Sequence, residues 1–404
     1  MIHSISIENF FSIAEKQVIN FRVPRNAPHV ENFIASRGDN TIRLPLVAGF
    51  YGANASGKST VLRAMDSLVK LNLLSSQPTL PNLTNLFQAY RHKEWLGKPT
   101  KIIIELDASY ERDQKSEEIL DTVFRYELHI GHDANRFDNK SIVFEELSYA
   151  PNSGFKKLFS RLGQQFTFSS DFSISNKDQR LETILKETST IGRLSIFGHK
   201  YSISLMDQIR SIFSNIFGTS KFVVERETNL RTYIENPLLL TQLNKELQRF
   251  DLGLENFFVA NNENGHLVAF SKHIGLDYNI LLHEESLGTQ RFIDLFPMIL
   301  STLGNGGILL LDELDTDLHP LLIPELLYWF YDPVRNPHKA QLLFSAHNAS
   351  LLDELEKEQV FFTEKPMGKA TQIYGAKDIG GLRREPSLTK KYLSGELGAI
   401  PQIG

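Results

Sequence analysis

The sequence predicts an α/β protein in which a mixed sheet with a phosphate-loop core is joined to an antiparallel β part and interrupted by a mainly helical insertion. Three observations predict it. A glycine-rich loop, "GANASGKS", stands between an apolar run and a helical pattern. Two more apolar runs, "GILLLDE" and "QLLFSAH", flank the helical stretch "HPLLIPELLYWFY". Finally, "KIIIEL", "TVFRYELHI" and "SIVFEELSY" alternate apolar and polar residues. Continuous apolar runs suit parallel strands buried on both faces, whereas alternation suits antiparallel strands with one wet face.

In order along the chain, residues 2–7, 18–23 and 44–50 read as strands, and a helix runs from Lys58 to about residue 74. The loop "SSQPTLPN" separates this helix from the three alternating segments. Residues 1–154 therefore form the first part of the fold. From 155 to 275 the pattern turns helical. In "DQIRSIFSNIFG", Ile209, Ile212, Phe213 and Ile216 recur at helical spacing, and "LLLTQLNKELQRF" repeats Leu240, Leu243, Leu247 and Phe250 over less than two heptads, too short for a long coiled coil. Residues 276–404 return to alternating strand and helix. The tail "KKYLSGELGAIPQIG" carries Tyr392, Leu393, Leu397, Ile400 and Pro401 with little charge after Glu396, so it is expected to be ordered and to pack on the fold or on a partner.

A chain of 404 residues with 41% hydrophobic content can bury sizeable cores, which excludes disorder as its main state. Its 43 basic and 48 acidic residues give a net charge of -5, which argues against a generally basic nucleic-acid binder but leaves room for a local basic patch. Without cysteine there is no disulfide, thiolate metal site or cysteine nucleophile. The start alternates like a strand and does not read as a signal peptide. No run reaches the ~18 apolar residues of a membrane span, since "LLIPELLYWF" contains Pro324 and Glu325. The expectation is a cytoplasmic protein without a membrane partner.

Gly52 to Ser59 fits GxxxxGK[ST], the phosphate-binding loop, with the strand before and helix after that such a loop requires. Its backbone N–H groups and the positive end of the next helix hold a polyphosphate. Gly52 and Gly57 allow backbone conformations that a Cβ obstructs. The segment with Gly52, Asn54, Ala55, Ser56, Gly57, Lys58, Ser59 and Thr60 is the candidate site for ATP. Lys58 is expected to reach the β- and γ-phosphates and Ser59 to take one position on Mg2+. Asp312, at the end of the apolar strand "GGILLLDELD", is the second metal residue. Glu313 is placed to polarise the attacking water. Ser286, with Gly288 two residues on, opens a helix whose free N–H groups and hydroxyl can meet a γ-phosphate, although the same pattern also serves as an ordinary helix cap. His347 falls where a neighbouring strand would end beside the phosphates.

The order of phosphate loop, "EESLGTQRFIDL", "LLLDELDTDLHP" and "FSAHN" resembles ABC-type ATPase heads. Together with "ENFFSI" and "YLSGELGAIP" it is most similar to the SMC, RecF and OLD-like branch, and within it to stand-alone ATPases of bacterial anti-phage and abortive-infection systems of the RloA type. The resemblance covers residues 1–105 and 265–404 and is weak across the middle. It implies an ABC-ATPase head, with Ser286 to Gln290 as the signature motif, Asp315 in the D-loop, His347 as the switch histidine and Gln88 of "NLFQAY" as a Q-loop residue touching Mg2+ and water. Thr289 replaces the second glycine of the transporter signature, which argues against a transporter subunit. In such heads the signature faces away from its own phosphate loop. The resemblance therefore implies a head-to-tail homodimer with Ser286, Gly288, Thr289 and Asp315 contributing to nucleotide binding. OLD-like relatives carry a Toprim nuclease region, whose acidic clusters are missing here after His347, so the chain itself is not expected to be a nuclease; the resemblance implies a separately encoded effector, a Toprim or RloB-like nuclease. The alternative is a DNA-binding clamp of RecF style, with nucleic acid as partner. A metabolic phosphate-loop kinase leaves Ser286 to Gln290 without a role.

Overall fold

The computed structural model describes residues 1–78, 80–111, 119–132, 140–152, 154–175, 178–216, 222–250, 253–316, 318–383 and 387–400. Among them two sheets carry the architecture. The central one has the spatial order Ile212–Ser214, Ile308–Leu311, Gln341–Ser345, Val47–Tyr51, Val360–Glu364, Gln372–Gly375. The first five strands are parallel and the last is antiparallel. Every residue of Val47–Tyr51, Ile308–Leu311 and Gln341–Ser345 is buried, as largely apolar strands between layers must be.

The second sheet is wholly antiparallel, ordered Gln165–Phe168, Gly154–Leu162, Lys140–Asn152, Ile119–His132, Thr100–Glu111, Ile2–Glu8, Gln17–Asn20. Its alternation has the predicted phase: Ile102, Ile104, Leu106, Phe124, Tyr126 and Leu128 are all buried. The helix Lys58–Ser75 lies against this inner face, with Met65, Leu68 and Val69 sharing one apolar space with Ile104, Leu106 and Phe124 and with Ile191 and Leu205 of two later helices. This buried helix carries the phosphate-binding end of the molecule on its first turn.

The middle of the chain departs from the helical expectation in three places. Strand Gly154–Leu162 pairs with Lys140–Asn152 across the 154/155 boundary, so the antiparallel sheet extends into the segment read as insertion. A hairpin of Leu254–Asn261 and Leu267–His273 closes the segment. Between them lie helices Thr190–Ile196, Lys200–Arg210, Phe222–Glu235 and Pro237–Phe250. The apolar residues around Ile212 do not continue a helix. The helix ends at Arg210, and Ile212–Ser214 joins the central sheet beside Ile308–Leu310. Burial against a strand overrides a spacing that spans barely two turns.

Candidate functional site

Strand Val47–Tyr51 pairs on both sides, so its end is held rigidly where the phosphate loop begins. Gly52 has φ +155° and Gly57 +113°. A Cβ on Gly52 would lie 2.2 Å from the Thr363 carbonyl oxygen, and one on Gly57 2.6 Å from the Thr371 side chain. The loop is tied from beneath by hydroxyl groups. Ser56 Oγ lies 2.6 Å from Thr363 Oγ1. The Thr371 hydroxyl donates to the Ser56 carbonyl at 2.8 Å, and Ser12 joins Thr371 (2.9 Å) and Thr60 (3.0 Å). At its other end, the Ala53 N–H donates to the Ala399 carbonyl at 3.0 Å. The tail is thus built into the loop: Leu388, Tyr392, Leu397 and Ala399 are buried, while Leu393 is exposed and Pro401 lies outside the described residues. Asn54 and Ala55 remain exposed at the tip.

Lys58 begins the helix and folds its ammonium back over the loop, donating to the carbonyls of Gly52 (2.8 Å) and Ala53 (3.1 Å), with His347 Nδ1 at 3.3 Å. Burial lowers its pKa, opposed by the attraction of Asp312, Asp315 and Glu313. Ser59 Oγ donates to Asp312 Oδ1 at 2.9 Å. Two hard oxygens from a hydroxyl and a carboxylate, with room for phosphate oxygens and water, are a donor set that fits Mg2+. No cluster of three or more His, Asp or Glu that could hold a metal unaided occurs among the described residues.

Two residues without a sequence motif hold Asp312. Asn215, just past the edge strand, brackets its backbone: the Asp312 N–H donates to Asn215 Oδ1 at 2.7 Å and Asn215 Nδ2 donates to the Asp312 carbonyl at 2.9 Å. Ser345 donates to Asp312 Oδ1 and accepts the Glu313 N–H. Glu313 has φ +52°, which swings its half-exposed side chain out of the strand direction, and its Oε1 lies 3.9 Å from His347 Nε2. Asp315 Oδ2 accepts the His347 N–H at 2.7 Å and the Asn348 N–H, so within the chain it braces the histidine loop, and it does not border the phosphate cleft.

That cleft, about 750 Å³, is bounded by loop residues 54–60, by Phe11 and Ser12, by residues 88–91 and by Glu313, His347 and Lys365. Gln88 stands on its wall: its carbonyl accepts the Phe11 N–H at 2.8 Å and its Oε1 accepts from Arg91 Nη2 at 3.2 Å. Ser286 and Gly288 do not border this cleft. Ser286 caps the helix Leu287–Asn305, accepting the Thr289 N–H at 3.1 Å and meeting Thr289 Oγ1 at 2.8 Å. Leu287 and Gln290 instead border a second cleft of about 590 Å³, where Arg226 donates to Gln290 Oε1 at 2.8 Å. Glu313 borders both clefts. Ser345 could have been noticed as a hydroxyl ending a strand beside the acidic pair. Asn215 and Arg226 carry no such signal.

A family model described as "AAA domain, putative AbiEii toxin, Type IV TA system" matches residues 47–353, well over half of the chain. No curated protein matches. Among solved structures, an SMC head bound to the C-winged helix domain of ScpA is 12% identical, with a TM-score of 0.47 over 96% of this chain and 99% of that one. The SMC head domain from Thermotoga maritima is 12% identical (TM-score 0.39; 93% and 98% covered). An SMC head with an extended coiled coil, bound to the C-terminal domain of ScpA derived from Pyrococcus furiosus, is 13% identical (TM-score 0.44; 98% of each). Among the described residues no helix is long and apolar enough to cross a membrane.

Proposed function

The chain belongs to this AAA-domain family of the AbiEii type, and on that premise we propose that it is an ATPase of ABC type. It works as an ATP-gated dimer switch in an anti-phage, abortive-infection system and controls a separately encoded effector nuclease of Toprim or RloB-like kind. The observation that carries the ATPase reading is the contact of Ser59 with Asp312 at 2.9 Å, made across 253 positions of sequence beside Lys58, Glu313 and His347. The defence role rests on the family description together with the motif order.

Ser59 and Asp312 would hold Mg2+, which supplies charge neutralisation on the β- and γ-phosphate oxygens when bound. Lys58 leaves the carbonyls of Gly52 and Ala53 for the phosphates. Glu313 accepts a proton from the attacking water, and His347, braced by Asp315, orients that water. Ser286 and Gly288 do not border this cleft, so a second copy arranged head to tail would bring them to the γ-phosphate, and the chain would close only with ATP bound.

Phosphate release from ATP with Mg2+ by the purified chain, lost in Lys58→Ala, tests the activity. Co-purification with a nuclease encoded next to it tests the switch. Strongly salt-dependent binding to DNA of any sequence, with no such partner, would favour a RecF-style clamp instead.

A further inference from the structure

The phosphate cleft is unevenly charged along its length. Strands Ile308–Leu311, Gln341–Ser345, Val47–Tyr51 and Val360–Glu364 lie side by side and parallel, so the residues that follow them emerge along one edge of the sheet. Asp312, Glu313 and His347 follow the first two, on one side of the phosphate loop. Lys365 follows the fourth, on the other side, and borders the same cleft. Three strand spacings of about 4.8 Å separate the Asp312 position from the Lys365 position, so the two serve different parts of a bound polyphosphate.

Lys365 stands on a loop that is fastened to the phosphate motif. At the far end of that loop the Thr371 N–H donates to the Ser12 carbonyl at 2.9 Å, and the Thr371 hydroxyl reaches the Ser56 carbonyl (2.8 Å) and Ser12 Oγ (2.9 Å). Ser12 Oγ in turn lies 3.0 Å from Thr60 Oγ1. Within the loop the Lys369 N–H closes a turn on the Pro366 carbonyl at 2.9 Å. The backbone that carries Lys365 is therefore set, while its side chain is exposed and its ammonium makes no hydrogen bond or ion pair with any described residue. Lys58 and Arg91, which also border the cleft, are engaged, the first by the Gly52 and Ala53 carbonyls and the second by Gln88.

Ser59 and Asp312 would place Mg2+ on the β- and γ-phosphate oxygens, which leaves the negative charge of the α-phosphate uncovered. Resting on the proposed ATPase reading, we infer that Lys365 is a substrate-binding residue whose ammonium pairs with the α-phosphate of the bound nucleotide. It grips the part that ATP and ADP share. The contact therefore survives hydrolysis and holds the product diphosphate in the site.

The test measures ATP and ADP binding by calorimetry in Mg2+, with the full chain carrying Glu313→Gln to prevent turnover. Adding Lys365→Met is expected to weaken both nucleotides by the same factor, about tenfold, the low end for a hydrogen bond to a charged group because the lysine is exposed. Lys369→Met removes an exposed cation of the same loop that does not border the cleft, and it is expected to bind both nucleotides as the parent does. Weakened ATP with unchanged ADP would put the ammonium on the γ-phosphate and overturn the assignment. Unchanged affinity for both, or an equal loss in Lys369→Met, would overturn it as well. Lys58→Ala separates this inference from the reading beneath it: if that variant loses nucleotide while Lys365→Met keeps it, only the Lys365 contact falls, and if Lys58→Ala binds normally the ATPase site falls too.

Discussion

Ser345 and Asp312 are joined by a hydroxyl-to-carboxylate hydrogen bond of 2.5 Å, and the same hydroxyl oxygen accepts the Glu313 N–H at 2.8 Å. One neutral side chain from the adjacent strand thereby aims both acids, turning Asp312 toward Ser59 and holding Glu313 in its left-handed backbone conformation.

Ser345→Ala is therefore expected to raise the Mg2+ concentration that half-saturates hydrolysis by about 10- to 100-fold, the usual effect of removing a partner of a metal ligand. ATP binding through Lys58 should be little changed. Titrating Mg2+ against the hydrolysis rate measures this, and an unchanged half-saturation would show that Asp312 needs no support from Ser345.

Lys58→Ala is expected to abolish tight ATP binding and turnover, because the ammonium is a cation poised on the loop carbonyls where the phosphate charges converge. Equilibrium binding and phosphate release are the readouts. Full turnover by this variant would move the nucleotide site elsewhere.

Glu313→Gln keeps size and hydrogen bonding but removes the base, which typically costs ~10^2 to 10^4 in rate. Nucleotide binding should persist through Lys58, Ser59 and Asp312. Single-turnover hydrolysis is the decisive measurement, and a near-normal rate would assign the base to another residue.

Tyr392→Ala should destabilise the chain by about 3–5 kcal/mol, the range for deleting a large buried aromatic. It should loosen ATP binding as well. Tyr392 stacks on Phe362 with centroids 5.6 Å apart and donates to the Ala399 carbonyl at 3.2 Å, the same carbonyl that receives the Ala53 N–H. A lower melting temperature with unaltered ATP affinity would show that the tail supports the fold but not the phosphate loop.

Burial, with a smaller contribution from Lys140, lowers the pKa of His132 from 6.5 to about 4. Between those values the unfolded chain binds a proton that the folded chain does not, so stability present above about pH 6.5 is lost as pH falls toward about 4. The ring lies 2.7 Å from the Thr100 hydroxyl, which donates to the Asn9 carbonyl, and Asn9 accepts the Tyr90 N–H on the wall of the phosphate cleft. Nucleotide affinity should fall over the same range. Denaturation and binding curves at several pH values check both, and His132→Gln should flatten the dependence.

The sheet core and the phosphate loop were legible because their signals are local. Val47–Tyr51 and Ile308–Leu311 are apolar runs, Gln341–Ser345 has an apolar centre, and the loop's glycines, lysine and serine keep a spacing that backbone sterics impose. Ile212–Ser214 was not legible, since three residues at an ambiguous period become a strand only when Ile308–Leu310 is there to pair with. The strand Gly154–Leu162 escaped for a related reason. Its first four residues are exposed, so the alternation that marks a strand is absent at its start. Asn215 and Ser345 act on Asp312 from distant positions, a relation that no stretch of sequence contains.

The bond between Ala53 and Ala399 also sets a timetable. During synthesis the phosphate loop emerges well before its neighbours in the central sheet, Gln341–Ser345 and Val360–Glu364, and before the carbonyl that holds Ala53. Nascent chains ending before Tyr392 carry the whole motif and should retain no ATP. An interrupted copy is then inert toward nucleotide.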